Sequence, residues 1–143
     1  MIKNITLLEF GLFEKIPKKR EIELDGSSPT GYFLRADDIK LLKESSKLQI
    51  SIGSIIGIKY KIKAPKNIIH FQAKILHPKL TNPKNGLTFS KTVEEKCDIG
   101  GSINFDFYEF EEEWELVAGE WIFQILENKH LLLEKRFELS LKT

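Results

Sequence analysis

Trp114-Glu115-Leu116-Val117-Ala118-Gly119-Glu120-Trp121-Ile122-Phe123-Gln124-Ile125 is followed by a polar break and then by Leu131-Leu132-Leu133-Glu134-Lys135-Arg136-Phe137-Glu138-Leu139. With side chains alternating across a strand, Trp121, Phe123 and Ile125 share one face, and Glu120, Ile122, Gln124 and Leu126 share the other. A period of two is a strand signal. Glu127-Asn128-Lys129-His130 supplies a turn, so Trp114 to Leu141 reads as a β-hairpin that carries both tryptophans and much of the core. On the return strand Phe137, Leu139 and Leu141 share a face, and Lys135 falls on that face if alternation runs from Leu131. Either a bulge near Glu134-Lys135 or a lysine at the sheet margin resolves the conflict. Ile122 and Leu126 predict a second face that is partly covered.

The same period recurs upstream. In Ile58-Lys59-Tyr60-Lys61-Ile62-Lys63 the apolar residues face one way and three lysines the other; in Ile69 to Ile75, Ile69, Phe71, Ala73 and Ile75 face a core while His70, Gln72 and Lys74 face water. Ala64-Pro65-Lys66-Asn67 is a turn, which predicts that these two strands form a hairpin. Ile5 to Phe13 reads as a first strand in which Gly11 marks a bulge or a close backbone approach. Pro17 sits in a charged turn, Glu21 to Leu24 and Tyr32 to Leu34 read as short strands, and residues 25–31 form a loop. Asp37 to Lys47 has a three-residue apolar spacing and reads as a loop or a single helical turn, while Leu48 to Ile56 suggests no firm element. His77 to Gly86, with Pro78 and Pro83, reads as a long loop; Leu87 to Val93 is a weak strand; and Ile103 to Phe107 alternates cleanly. Seven to nine short strands at even spacing predict an all-β, antiparallel, immunoglobulin-like β-sandwich in one domain spanning residues 1–143, with a β-barrel as the alternative.

Composition limits the functions. A chain of 143 residues can bury a core without covalent staples. One cysteine, Cys97, excludes an internal disulfide, and no run reaches the ~20 apolar residues of a membrane helix. Glu9 interrupts the apolar N-terminus, so no secretory signal is read there. A cytoplasmic protein with no membrane partner is expected. Residues 1–84 hold 16 Lys+Arg against 8 Asp+Glu, and residues 85–143 hold 6 against 13. In a sheet fold such segments lie side by side, so the asymmetry is read as neighbouring basic and acidic strands.

No catalytic or cofactor motif emerges. His70, His77 and His130 lack metal-ligand spacing. Cys97 has no base beside it, Gly100-Gly101 is a turn without the Lys-Ser/Thr of a phosphate loop, and neither Asp37-Asp38 nor Glu111 to Glu113 has a calcium-loop pattern. No cofactor and no metal are expected. Lys59, Lys61 and Lys63 form a basic ladder, but Tyr60 alternates away from it; a solvated face is favoured over a nucleic-acid surface. The ladder and His77, Pro78 and Asn82 of the long loop are the candidate interaction surface. An enzymatic reading would need His77, Asp98 or Asp106 to converge in one cleft.

Gly11-Leu12-Phe13, Gly57-Ile58-Lys59-Tyr60, His77-Pro78 with Pro83 and Gly86, and Leu116 to Gln124 followed by Glu134-Lys135-Arg136-Phe137 together resemble a family of short uncharacterised bacterial proteins, a domain of unknown function. The resemblance implies a bacterial β-sandwich and carries over no catalytic residue. The resulting expectation is a non-enzymatic module that binds a protein partner or itself by a sheet edge or end loops. The alternative is a small-ligand carrier with a pocket between the sheets or under the 77–86 loop.

Overall fold

Alternation along the chain resolves into two stacked sheets in the computed structural model, which describes residues 1–16 and 38–143. The expected turn from Pro17, the strands at 21–24 and 32–34, the loop at 25–31 and Asp37 lie outside the described residues. Among the described residues nine strands follow in order: β1 (Asn4–Lys15), β2 (Ile39–Lys43), β3 (Lys47–Ile50), β4 (Ile55–Lys63), β5 (Ile68–Thr81), β6 (Thr88–Ile99), β7 (Ile103–Glu109), β8 (Gly119–Glu127) and β9 (His130–Leu141). One sheet has the order β2-β1-β4-β7 and the other β3-β9-β8-β5-β6. The result is a sandwich, not a barrel. Pairing is antiparallel except between β3 and β9, which run parallel.

The terminal hairpin forms as β8 and β9, closed by Asn128 and Lys129, whose φ values of 49° and 70° match a two-residue turn with the twist of the strands. It begins at Gly119; Trp114 lies instead in a 3-10 turn, Glu113–Glu115. The bulge falls between Ile125 and Leu126, not at Glu134-Lys135, so Lys135 does lie opposite Phe123 on the inner side. It reaches the margin and sets its Nζ 3.8 Å from the centre of the Phe10 ring, where a cation is attracted to the π-face.

β4 and β5 both exist, but they are not a hairpin. β4 pairs with β1 and β7, β5 with β6 and β8, and residues 64–67 carry the chain from one sheet to the other. Their apolar faces therefore meet across the sandwich instead of side by side. Ile56, Ile58, Tyr60 and Ile62 pack against Ile69, Phe71, Trp121, Phe123, Phe137 and Leu139 in one core. The stretch expected to be a helical turn is extended: Ile39 and Leu41 alternate against β1, because pairing with that strand supplies bonds that a single turn of helix lacks. Gly11 is the close approach anticipated, with φ +134° and an added Cβ that would stand 2.0 Å from the Lys43 carbonyl oxygen. The outer face of the four-stranded sheet carries a second cluster of Phe13, Ile39, Ile55 and Phe105.

Candidate functional site

β6 is the outermost strand of the five-stranded sheet and, among the described residues, pairs only with β5. Its twelve residues, Thr88 to Ile99, make a long edge, and most of its side chains are exposed. Register with β5 sorts them. Thr92, Glu94, Lys96 and Asp98 lie on the same face as the core residues Ile75, Ala73, Phe71 and Ile69; Lys91, Val93, Glu95, Cys97 and Ile99 lie on the outer face. The sequence Thr-Val-Glu-Glu-Lys-Cys obscures this strand because its core-directed positions are polar.

At Lys96 the reason is β7. Lys96 reaches across to donate to Asp106 Oδ1 at 2.6 Å, while Tyr60 Oη donates to Oδ2 at 2.7 Å. Asp106 and Tyr60 are buried, and Lys96 Nζ also lies 6.0 Å from the Tyr60 ring centre and 5.9 Å from that of Phe71. A charge that is both paired and hydrogen-bonded can be held in a core; an unpaired one cannot. Burial and the adjacent Asp106 carboxylate push the Tyr60 hydroxyl well above its ordinary pKa, so it stays a donor. This triad joins the two sheets at the β6 side and ties the inner face of β6 down, while among the described residues no strand pairs with its outer edge.

His77 lies elsewhere in the fold. The expected loop from His77 begins only after Thr81, since β5 continues through Pro78 with a register shift between Leu76 and Leu80. His77 is buried beside Trp121, at 4.9 Å between ring centres, with Phe89 at 5.4 Å and Tyr108 at 6.3 Å. Its Nδ1 donates to the Pro78 carbonyl at 2.8 Å, and its buried Nε2 has no protein partner. Burial lowers its pKa, with the Pro78 bond opposing. Tyr108 Oη donates to the Glu115 carboxylate, which also caps the amides of Glu111 and Glu112. His77 hydrogen-bonds to neither Asp98 nor Asp106. Pro78 is half-buried against Gly119, and the Asn82 side chain accepts from the Lys84 amide.

Lys59 is half-buried and paired with Glu9 at 3.1 Å, while Lys61 and Lys63 are exposed. Aromatics do share the lysine face, contrary to the reading of β4 alone. Phe105 stands opposite Lys59 from β7 and stacks on Phe107 at 5.2 Å. Phe105 is itself buried against Phe13, so it offers no open stacking platform. On the far side of the sandwich an open groove of about 680 Å³ is lined by Leu12, Lys43, Lys47, Gln49, Glu138 and Lys142, among others. Among the described residues no group of three or more His, Cys, Asp and Glu side chains could hold a metal. No helix of the described residues is long and apolar enough to cross a membrane.

A family model for a domain of unknown function (DUF3859) matches residues 3–139. Among solved structures, an immunoglobulin-like protein from Pseudomonas aeruginosa superposes with a TM-score of 0.68 at 19% identity, covering 96% of this chain and 98% of that one. This likeness supports the immunoglobulin-like fold alone. An alkylpurine DNA glycosylase from Pseudomonas fluorescens bound to DNA with an abasic-site analogue matches at a TM-score of 0.40 and 12% identity, over 66% of this chain and 28% of that one, too slight to carry any argument. No curated protein matches the sequence.

Proposed function

The chain belongs to the DUF3859 family, and from that starting point we propose that it is a non-enzymatic, immunoglobulin-like β-sandwich module that binds a protein partner by adding a strand at the β6 edge. One observation carries the reading: a twelve-residue strand whose outer edge has no partner strand among the described residues, braced from within by Lys96 on Asp106. Unpaired backbone donors and acceptors along a strand are a template for a further strand, the mode by which many modules take extended peptides. The other described edges are shorter: five residues in β2, four in β3 and seven in β7. A bacterial, cytoplasmic setting is part of this proposal; the single exposed thiol, Cys97, suits a reducing compartment.

The carrier reading has less support. The space between the sheets is filled by Trp121, Tyr60, Phe110, Phe123 and Phe137, and the 77–81 stretch packs down as strand.

Hydrogen exchange on the complex captured from the native host with tagged full-length chain tests the proposal. Added amide protection within residues 88–99 is the expected result. Protection that leaves those amides unchanged overturns it.

A further inference from the structure

We infer that the occupant of the β6 edge is a second copy of this chain, paired antiparallel through β6 about a two-fold axis at Val93. The inference rests on the edge reading above and adds the identity of the partner. It comes from the pattern of charge along one strand. A two-fold axis perpendicular to the sheet pairs residues of the same face, so residues equidistant from the axis stand opposite each other.

With Val93 at the axis, Lys91 of each copy stands opposite Glu95 of the other, giving two opposite-charge pairs that flank a Val93–Val93 contact. On the inner face Thr92 stands opposite Glu94. Val93 is 46% exposed, and Lys91 and Glu95 are also exposed; Glu95 Oε1 accepts from Gln72 Nε2 at 2.6 Å, and its second carboxylate oxygen is the acceptor for the lysine of the other copy. Lys96 places no charge in this contact, because its Nζ is engaged by Asp106 on the inner side.

Neighbouring registers lack these pairs or oppose like charges: an axis at Thr92 sets Lys91 against Val93 and Ser90 against Glu94, with no opposite-charge pair. An axis at Glu94 or Glu95 sets that carboxylate against its own copy, and an axis at Lys91 opposes two lysines. Like charges directly opposite destabilise a strand pair. An odd offset would place inner residues against outer ones and is forbidden by the pleat. Pairing about Val93 uses both edges, so assembly closes at two copies and does not propagate. It joins two five-stranded sheets into one continuous sheet.

Sedimentation of the purified chain, over a concentration series up to about 1 mM, the weak end of specific association, tests this directly. The wild type is expected at twice the 16.6 kDa chain mass. Lys91→Glu and Glu95→Lys are each expected to return it to 16.6 kDa, and the double variant K91E/E95K to restore the dimer. Both positions lie on the exposed strand, and circular dichroism checks that each variant remains folded. In a Cys97→Ser background, Val93→Cys is expected to form an intermolecular disulfide on oxidation, because directly opposed strand residues fall within disulfide reach. A wild type that stays at 16.6 kDa throughout overturns self-pairing, yet leaves the edge reading standing if exchange on a native complex still protects residues 88–99. A dimer insensitive to both single reversals overturns self-pairing through β6 and, if residues 88–99 also stay unprotected, the edge reading with it.

Discussion

Truncating Lys96 to alanine should destabilise the fold by about 3 kcal/mol. In the native protein Lys96 Nζ lies 2.6 Å from Asp106 Oδ1, and Asp106 is only 6% exposed. After Lys96→Ala the carboxylate keeps one donor, the Tyr60 hydroxyl, and loses its cation. Removing one partner of a buried pair costs about 3–5 kcal/mol, since the remaining charge is left uncompensated. The Lys96 side chain is 16% exposed, so water entering the vacated margin recovers part of that cost, which places the value at the lower end. For a chain of this size the melting temperature should fall by about 6–12 °C. Urea unfolding followed by tryptophan fluorescence measures the loss, because Trp121 is fully buried in the native state and exposed on unfolding. Lys59→Ala is the comparison: its pair with Glu9 is partly solvated, and its loss should cost no more than about 1 kcal/mol. The triple replacement Y60F/K96M/D106L removes both charges and the hydroxyl together and should lie within about 1–2 kcal/mol of wild type, since apolar replacement of a buried ion pair is often neutral. A Lys96→Ala variant no less stable than Lys59→Ala would refute the argument that a buried charge pair braces β6 against β7.

Four further outcomes follow from the same geometry. Trp121→Ala, which removes a side chain packed against His77, Tyr108 and Phe110, should cost about 3–5 kcal/mol in urea unfolding. The buried His77 has a lowered pKa, so below about pH 6.5 the unfolded chain takes up a proton that the native state resists. Stability should therefore fall as pH drops through that value and level off below the folded-state pKa. His77→Phe should remove this component, so identical pH dependence of the urea midpoint in both proteins would show that His77 is not responsible. Gly11→Ala meets both an unfavourable φ and the Lys43 carbonyl and should lose at least about 2 kcal/mol, read as a lower melting temperature. Lys129→Gly relieves a left-handed lysine in the hairpin turn and should raise stability by up to about 1 kcal/mol in the same assay.

Local patterns carried much of the fold and little of the candidate site. The alternation of Ile58, Tyr60 and Ile62, and of Ile69, Phe71, Ala73 and Ile75, assigns each residue to a face, and those faces are buried as read. Alternation does not say which strand lies alongside, which is why β4 and β5, joined by a four-residue turn, read as a hairpin and are a crossover. β2 was hidden because Ile39, Leu41 and Leu42 fit two periods at once in so short a span, and only the pairing with β1 decides between them. His77 and Pro78 looked like loop residues because proline interrupts a ladder; here it sits where the register with β6 shifts. β6 is legible only as the weak strand from Leu87 to Val93, because beyond it Glu94, Lys96 and Asp98 occupy inward positions that are apolar in an ordinary half-buried strand.

The amino-acid sequence alone determined the all-β class, the β8–β9 hairpin with its Asn128-Lys129 turn, and the apolar faces that form the core, because period and turn chemistry are local properties of the backbone. Tertiary structure decided which sheet each strand joined, that His77 is enclosed by aromatic rings, and that Lys96 and Asp106 meet from strands of different sheets. Those outcomes depend on contacts between distant segments, where the stability of one charge rests on the position of another. No pattern within either strand expresses that dependence.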